Sequence, residues 1–312
     1  MKKQIKTRRT GKIRRTGKIR RSKKVTQKRT TNNLVKVNCS PKKYEEINDY
    51  TCYTDKALFH LRDLWNIRHP DVKITTNDAK EIHAQLSNLL SNVCNKESCW
   101  LKQKSDFGEL TNETSDVFAP DSPSEWKSNP NEWLSSVDII KVMKQYEKAY
   151  KCFEFIGPSP IDFDTRKMYG ECVWNELCKL NIQEQIQSGK TKIGVIFNTD
   201  PHDKPGQHWI SLFINIKKQN IFFFDSTGDK APKEVKVLVD RIIKQGNTLN
   251  PPIHFKYDDS AGVKHQLGNT ECGVYSLYFI VHMLEDKTTN HYLKTHILPD
   301  KHINKFRKIY FN

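Results

Sequence analysis

Residue types that together can do nucleophilic chemistry cluster in the last third of the chain. His208 and Trp209 open one apolar segment, Asp225 closes the next, and Gln266 lies six residues before Cys272. A thiolate attacks carbonyls, an imidazole moves the proton, and a carboxylate orients the imidazole. An amide N–H can hold the oxyanion that results. This order predicts acyl chemistry at Cys272, with His208 as the base and Gln266 as the oxyanion donor.

Each of these residues has an ordinary interpretation when it is taken alone. A lone Cys272 is most often a buried structural thiol, and a lone His208 is usually a half-buried imidazole with satisfied hydrogen bonds. Asp225 could simply cap a turn, and a single Gln266 in a loop indicates nothing. The presence of a base, an orienting acid, a donor and a nucleophile together favours a reactive site over a purely structural role for these residues.

Two neighbouring strands are predicted to position the base and its acid. Apolar runs at 208–216 and 220–225 are joined by only three residues, which predicts a hairpin that brings Asp225 close to His208. A further strand is predicted at 192–198. Because side chains alternate along a strand, His208 and Trp209 are predicted to point to opposite faces of the sheet.

A helix is predicted to position the nucleophile. Cys272 begins an apolar run that extends to about Glu285. The positive end of a helix dipole and its unpaired amides stabilise a thiolate at the first turn. Gly273 lacks a side chain, and we expect it to let a substrate backbone approach closely.

The first 36 residues are predicted to be a disordered basic tail. A six-residue repeat begins at Arg8 and again at Arg14. Residues 1–30 contain 15 Lys or Arg and no acid, which leaves 37 basic against 36 acidic residues in the rest of the chain. Such a tail could contact DNA or RNA phosphates nonspecifically, or it could be a nuclear-targeting signal. Charge alone does not separate these roles.

Composition divides the remainder into two domains. Residues 37–130 are predicted to form a helical accessory domain, with a proline-containing loop segment at about 105–132 as the boundary region. Residues 131–312 alternate helical and strand patterns irregularly, which predicts an α+β domain. Helices are expected at about 133–150, 171–187 and 231–245.

The cysteines are predicted to be free thiols in a reducing compartment. No apolar leader precedes them, and no window approaches 18 apolar residues, so neither a signal peptide nor a membrane span is expected. Cys94 and Cys99 follow His60, His69 and His83, but their spacing fits no strong zinc template and favours core thiols. We therefore expect no metal and no cofactor, and a monomeric protein.

The order of the reactive residues resembles that of the adenain and SUMO-protease superfamily of cysteine proteases (clan CE). The matching positions are His208-Trp209, Asp225, Gln266 and Cys272-Gly273. The segment 133–139 is similar to the substrate-channel segment that begins the family's catalytic domain. The resemblance covers about 131–312. It implies a central, mostly antiparallel or mixed sheet with flanking helices, and a channel walled by Trp209 and Trp133.

A closer resemblance is to the thiol proteases of nucleocytoplasmic large DNA viruses. It rests on segments 94–101 and 155–163, and on the stretch through Trp126 and Trp133. The resemblance implies cleavage of structural polyproteins after Gly-Gly-type sites during virion maturation, in the virion core and host cytoplasm, with residues 37–130 as an accessory arm. One member of this group, the African swine fever virus protease, has Asn at the position that corresponds to Asp225.

Three alternatives remain open from the sequence. The same residues could serve an isopeptidase that removes SUMO or ubiquitin-like proteins from conjugates. They could also transfer acetyl groups, as some bacterial effectors do. A third alternative is a nucleic-acid-binding or packaging protein with a degenerate protease domain, although the intact His208, Asp225, Gln266 and Cys272 argue against it.

Overall fold

The computed structural model describes residues 38–41, 48–103, 107 and 117–312. The predicted basic tail and its expected nucleic-acid contact lie outside the described residues. All described residues belong to one compact unit, Leu34–Asn312.

Helices and strands follow one another along the described chain. The helices are α1 (Asp55–Arg68), α2 (Ala79–Leu89), α3 (Ser136–Ala149), α4 (Asn175–Cys178), α5 (Ile182–Gln187), α6 (Lys233–Asn247), α7 (Cys272–Leu284), α8 (Asn290–Thr295), α9 (Asp300–Ile303) and α10 (Arg307–Tyr310). Short 3-10 helices cover Glu97–Lys102, Ser124–Lys127 and Asn304–Phe306. The strands are β1 (Phe153–Pro160), β2 (Lys192–Asn198), β3 (Trp209–Asn215), β4 (Asn220–Phe224) and β5 (Lys256–Asp259).

The five strands form one mixed sheet in the order β1-β2-β3-β4-β5. The central pairs β2–β3 and β3–β4 are antiparallel, and both outer pairs are parallel. The predicted hairpin is confirmed, because Ser211 pairs with Phe224 and Asn215 pairs with Asn220. The predicted α+β architecture with a mixed sheet and flanking helices is likewise confirmed.

Helices cover both faces of the sheet. On β3, Trp209 and Phe213 belong to the hydrophobic cluster that contains α7. Ile210 and Leu212 alternate with them and belong to the cluster that contains α6. Strands buried on both faces read as continuous apolar runs, as β3 does. Among the described residues, no helix is both long and apolar enough to cross a membrane.

Helix α3 begins at a capping box. The Ser135 hydroxyl accepts from the backbone N–H of Asp138, and the Asp138 carboxylate accepts from the backbone N–H of Ser135. Both residues lie within the channel segment 133–139, where the helix begins. This reciprocal cap fixes the point at which the extended chain becomes helical.

Residues between 52 and 118 have a hydrophobic cluster of their own. It joins α1 and α2 through Leu61 and Ile82, with the fully buried Trp100 beside them. Asp78 caps α2, because its side chain accepts from the backbone N–H of Glu81. The domain boundary near residue 130 stays a prediction.

Two predictions about secondary structure are wrong. The helix expected over 171–187 is two short helices, α4 and α5, because the Asn181 side chain caps a new helix start. Strand β1 is absent from the sequence prediction, since Gly157, Pro158 and Pro160 discourage a strand assignment. Proline is tolerated there because β1 is an edge strand.

The prediction of free thiols is wrong for six of the eight cysteines. Disulfides join Cys39 to Cys52, Cys94 to Cys99, and Cys172 to Cys178, with Cα–Cα distances of 5.1, 5.5 and 6.3 Å. These distances lie within the range that a disulfide spans. Cys152 and Cys272 remain as thiols. The Cys94 and Cys99 sulfurs bond to each other and are not free to bind zinc.

Candidate active site

The β3–β4 hairpin brings His208 and Asp225 together. The imidazole Nε2 lies 2.7 Å from Oδ1 of Asp225. His208 immediately precedes β3, which begins at Trp209, and Asp225 immediately follows β4. The backbone carbonyl of His208 still accepts from the N–H of Thr199 at 2.9 Å, so the pairing with the neighbouring strand extends to the base.

The Asp225 carboxylate is buried and held in one orientation. Its residue is 4% exposed. Its Oδ1 also accepts from the backbone N–H of Thr227 at 2.9 Å and from the Thr227 hydroxyl at 2.8 Å. The backbone N–H of Asp225 donates to the Ser260 hydroxyl at 3.2 Å. A carboxylate fixed in this way fixes the ring to which it bonds.

His208 lies between two acidic partners. Burial acts to lower the pKa of His208, but hydrogen bonds to Asp225 and Cys272, together with the negative charge of both, outweigh it and raise the pKa to about 10. The imidazole therefore keeps its proton at neutral pH. An imidazolium beside a cysteine is the arrangement that stabilises a thiolate.

Cys272 is the first residue of α7, as the sequence predicts. It is 1% exposed, and α7 lies almost entirely inside the protein. The approach of a substrate backbone at Gly273 stays a prediction, and the space beside its Cα is filled by protein atoms. A Cβ added to Gly273 would lie 3.0 Å from Leu134 Cβ and 3.2 Å from Trp209 Cδ1. Gly273 thus lets α7 pack closely against these two side chains.

The Gln266 side chain is buried and bonded at both ends of its amide. Its Oε1 accepts from the Ser226 hydroxyl at 2.7 Å. Its Nε2 donates to the backbone carbonyl of Gly268 at 3.0 Å. An amide nitrogen has two hydrogens, so one remains available to an oxyanion.

Two further contacts reinforce this loop. The backbone N–H groups of His265 and Gln266 both donate to the Ser226 carbonyl, at 2.9 and 2.8 Å. Ser226 directly follows Asp225 and is buried. The turn that follows β4 therefore positions the orienting acid and the predicted oxyanion donor through adjacent residues.

Trp209 and Trp133, both predicted to wall the substrate channel, lie on different cavities. Trp209 lines a cavity of about 320 Å³ together with Ser136 and Ser159. Trp133 is 36% exposed and lines another cavity of about 410 Å³. Leu134, rather than Trp133, contacts Trp209, because its backbone carbonyl accepts the indole N–H at 3.0 Å.

Sequence reasoning missed Ser226 and Leu134. Ser226 could have been suspected from its position directly after Asp225 at a strand end. Leu134 contributes a backbone carbonyl to Trp209 and an aliphatic contact to Gly273, and neither has a signature in the sequence.

The arrangement can support acyl transfer through a cysteine. A thiolate at Cys272 would have an imidazolium beside it, and His208 could return its proton to a leaving amine. Asp225 keeps the ring in place through the bond to Nε2. The Gln266 amide and the start of α7 supply N–H groups of the kind that stabilise an oxyanion.

Comparisons with known proteins agree with this chemistry. Residues 144–312 match the model of the Ulp1 protease family, C-terminal catalytic domain. A candidate thiol protease of Acanthamoeba polyphaga mimivirus is 28% identical over 294 residues, which cover 88% of this chain and 92% of that protein. A cysteine protease of African swine fever virus is 25% identical over 260 residues, covering 75% and 91%.

A solved structure shares the fold. The crystal structure of the African swine fever virus protease aligns with a TM-score of 0.63 at 21% sequence identity, over 88% of this chain and 95% of that one. The family match covers more than half of the chain, including every residue of the predicted triad. The chain therefore belongs to the Ulp1 protease family and is a cysteine-type peptidase.

Proposed function

We propose that this peptidase is a viral endopeptidase that cleaves structural polyproteins after Gly-Gly-type sites during virion maturation. The observation that carries the proposal is the placement of His208 between a buried Asp225 and Cys272. Its two viral relatives, which match over most of their own length, support a viral role. We further propose, from the resemblance to viral thiol proteases alone, that it acts in the virion core and the host cytoplasm.

In the proposed reaction, the Cys272 thiolate attacks the scissile carbonyl. The resulting oxyanion is held by the Gln266 amide and by the backbone N–H of Cys272. His208 then protonates the leaving amine, which gives an acyl-enzyme. Water, deprotonated by His208, releases the acyl group and restores the thiolate. Asp225 holds the imidazole throughout both steps.

Burial of the nucleophile supports the Gly-Gly preference. Cys272 is 1% exposed and Trp209 is 8% exposed, and both lie beside the contact between Leu134 and Gly273. Side chains on a substrate would collide with these walls, whereas glycines place only backbone beside the thiol. Two glycines before the scissile bond therefore suit a narrow approach.

The first test is hydrolysis of fluorogenic peptides that end in Gly-Gly or in Gly-Ala before the reporter. We expect the Gly-Gly peptide to be cleaved with a kcat/KM at least about 10-fold higher, because the added methyl group meets the channel wall. Cys272→Ala should abolish cleavage and leave the folded structure intact. Turnover by Cys272→Ala near that of wild type would overturn the proposal.

Cys152→Ala is the matched control, since Cys152 is the other cysteine thiol of the protein and is only half-buried. It should leave kcat/KM unchanged. A precursor of a ubiquitin-like protein tests the alternative of a deconjugating enzyme, which would use the same reactive residues. Cleavage of that precursor without cleavage of any Gly-Gly polyprotein peptide would replace the proposed substrate class.

A further inference from the structure

The loop from Gln266 to Cys272 is held by a side chain that follows it in the chain. Oδ2 of Asp300 accepts from the backbone N–H of Leu267 at 3.0 Å and from that of Gly268 at 2.8 Å. Asp300 is the first residue of α9 and is half-buried. A carboxylate that accepts two adjacent backbone amides fixes the orientation of the peptide units that carry them.

The same carboxylate contacts the nucleophile helix. The Tyr275 hydroxyl, which lies one turn after Cys272 in α7, is shared as a donor between Oδ1 of Asp300 at 2.9 Å and the Leu298 carbonyl at 2.6 Å. Tyr275 is fully buried. Both oxygens of Asp300 are therefore engaged, one by the loop and the other by the helix that starts at Cys272.

Gly268 links Asp300 to Gln266. The Gln266 Nε2 donates to the Gly268 carbonyl at 3.0 Å, and the backbone N–H of the same Gly268 donates to Asp300. The opposite end of the Gln266 amide is fixed by Ser226. The direction of the remaining amide hydrogen is thus set on one side by Ser226 and on the other by Asp300 acting through Gly268.

Asn304 and Arg307, which follow Asp300 in the chain, hold the rest of the loop. Asn304 Nδ2 donates to Oε1 of Glu271 at 3.2 Å. The Arg307 guanidinium donates to the Thr270 carbonyl at 2.9 Å. The segment 300–307 therefore forms hydrogen bonds with both ends of the loop. Within this segment, Asp300 contacts the peptide units next to Gln266.

We propose that Asp300 is a positioning residue for the oxyanion donor: it fixes Gly268, and Gly268 aims the Gln266 amide at the reacting carbonyl. This inference rests on the proposed role of Gln266. An oxyanion donor acts mainly in the transition state, so a misplaced donor lowers kcat and leaves KM nearly unchanged.

The test is a double-mutant cycle between Asp300→Asn and Gln266→Ala, with a fluorogenic Gly-Gly peptide as the probe. Asp300→Asn keeps the size of the side chain but removes its charge and turns one acceptor into a donor. We expect about a 10-fold loss of kcat with KM within about twofold, below the loss of about 100-fold expected when the donor itself is removed.

In the Gln266→Ala background, Asp300→Asn should cause no further loss of kcat, because the group that it positions is absent. Equal losses in both backgrounds would show a general structural role for Asp300 and overturn the inference. If Gln266→Ala alone is as active as wild type, the proposed oxyanion donor fails instead, so the two failures are distinguishable.

Asp164→Asn is the matched control. In the wild-type protein, the Asp164 carboxylate pairs with Arg241, a residue of helix α6 on the other face of the sheet. It should lower the thermal midpoint without changing kcat. If Asp300→Asn does not fold, Asp300→Glu enters the same cycle, since it retains a carboxylate that reaches the loop imperfectly, and the same additivity criterion decides the outcome.

Discussion

The indole N–H of Trp209 donates to the backbone carbonyl of Leu134 across 3.0 Å, although 75 residues separate them. The Leu134 side chain also lies against Gly273, next to the nucleophile. One residue of the channel segment therefore contacts both the strand that begins after the base and the helix that begins at the thiol. The separation between these two elements is set at Leu134.

Trp209→Phe should raise the KM of a Gly-Gly peptide more than it lowers kcat. The phenyl ring keeps the aromatic wall but leaves the Leu134 carbonyl without its donor, at a cost of about 1–3 kcal/mol in the free energy of unfolding. Urea denaturation and steady-state kinetics measure the two effects. Trp100→Phe is the control, because Trp100 is buried in the cluster of α1 and α2; it should lower stability without changing KM.

Asp225→Asn should move the alkaline limb of the pH–activity profile to lower pH. The bond to Asp225 and its charge help to raise the pKa of His208 to about 10, against the effect of burial, so an uncharged amide lowers that pKa. Catalysis needs the imidazolium to protonate the leaving amine. We expect wild-type activity to fall only near pH 10, and an identical limb in both proteins would contradict this assignment.

The raised pKa of His208 also predicts how stability depends on pH. A group with a raised folded-state pKa contributes its full stabilisation below its ordinary value of about 6.5 and loses it as pH rises through the folded value. His208→Gln should therefore be less stable than wild type at about pH 6, with a difference that shrinks towards pH 10. Chemical denaturation at several pH values measures this difference in unfolding free energy. A difference that grows as the pH rises would contradict the prediction.

His265 should make the active-site loop sensitive to acid. Burial lowers the pKa of His265, and its Nδ1 accepts from the backbone N–H of Leu298 at 3.1 Å. A lowered pKa means that stability is fully present above about pH 6.5 and declines as pH falls. His265→Gln retains an acceptor without the charge. Between about pH 7.5 and about pH 5.5 it should lose less stability in urea than wild type, and equal losses would refute this expectation.

Arg307→Lys should lower both stability and kcat/KM. The guanidinium donates to the carbonyls of Asn131, Glu132 and Thr270, and a single ammonium cannot reach all three. We expect a loss of about 1–3 kcal/mol in unfolding free energy and about 10-fold in kcat/KM. Arg241→Lys breaks a comparable set of bonds on α6 and should reduce stability without changing kcat/KM.

The elements that carry the predicted triad could be foreseen because their signals are local. Short connections and apolar runs specify the β3–β4 hairpin, and a polar turn before an apolar run specifies the start of α7 at Cys272. Because the hairpin fixes the register, the contact between His208 and Asp225 follows from sequence.

The supports of the site could not be foreseen in the same way. Leu134 acts through a backbone carbonyl, and Asp300 lies 28 residues after Cys272 with no motif around it. Long-range contacts of this kind depend on how elements pack rather than on spacing. The Cys172–Cys178 disulfide escapes sequence reasoning for a related cause, since only folding shows which thiols approach each other.

The grip of segment 300–307 on the nucleophile loop imposes an order on biosynthesis. The ribosome makes Cys272 before Asp300 and Arg307, so a growing chain carries its thiol on a loop that still lacks these contacts. Proteolysis is therefore expected to be withheld until this late segment has been released and docked.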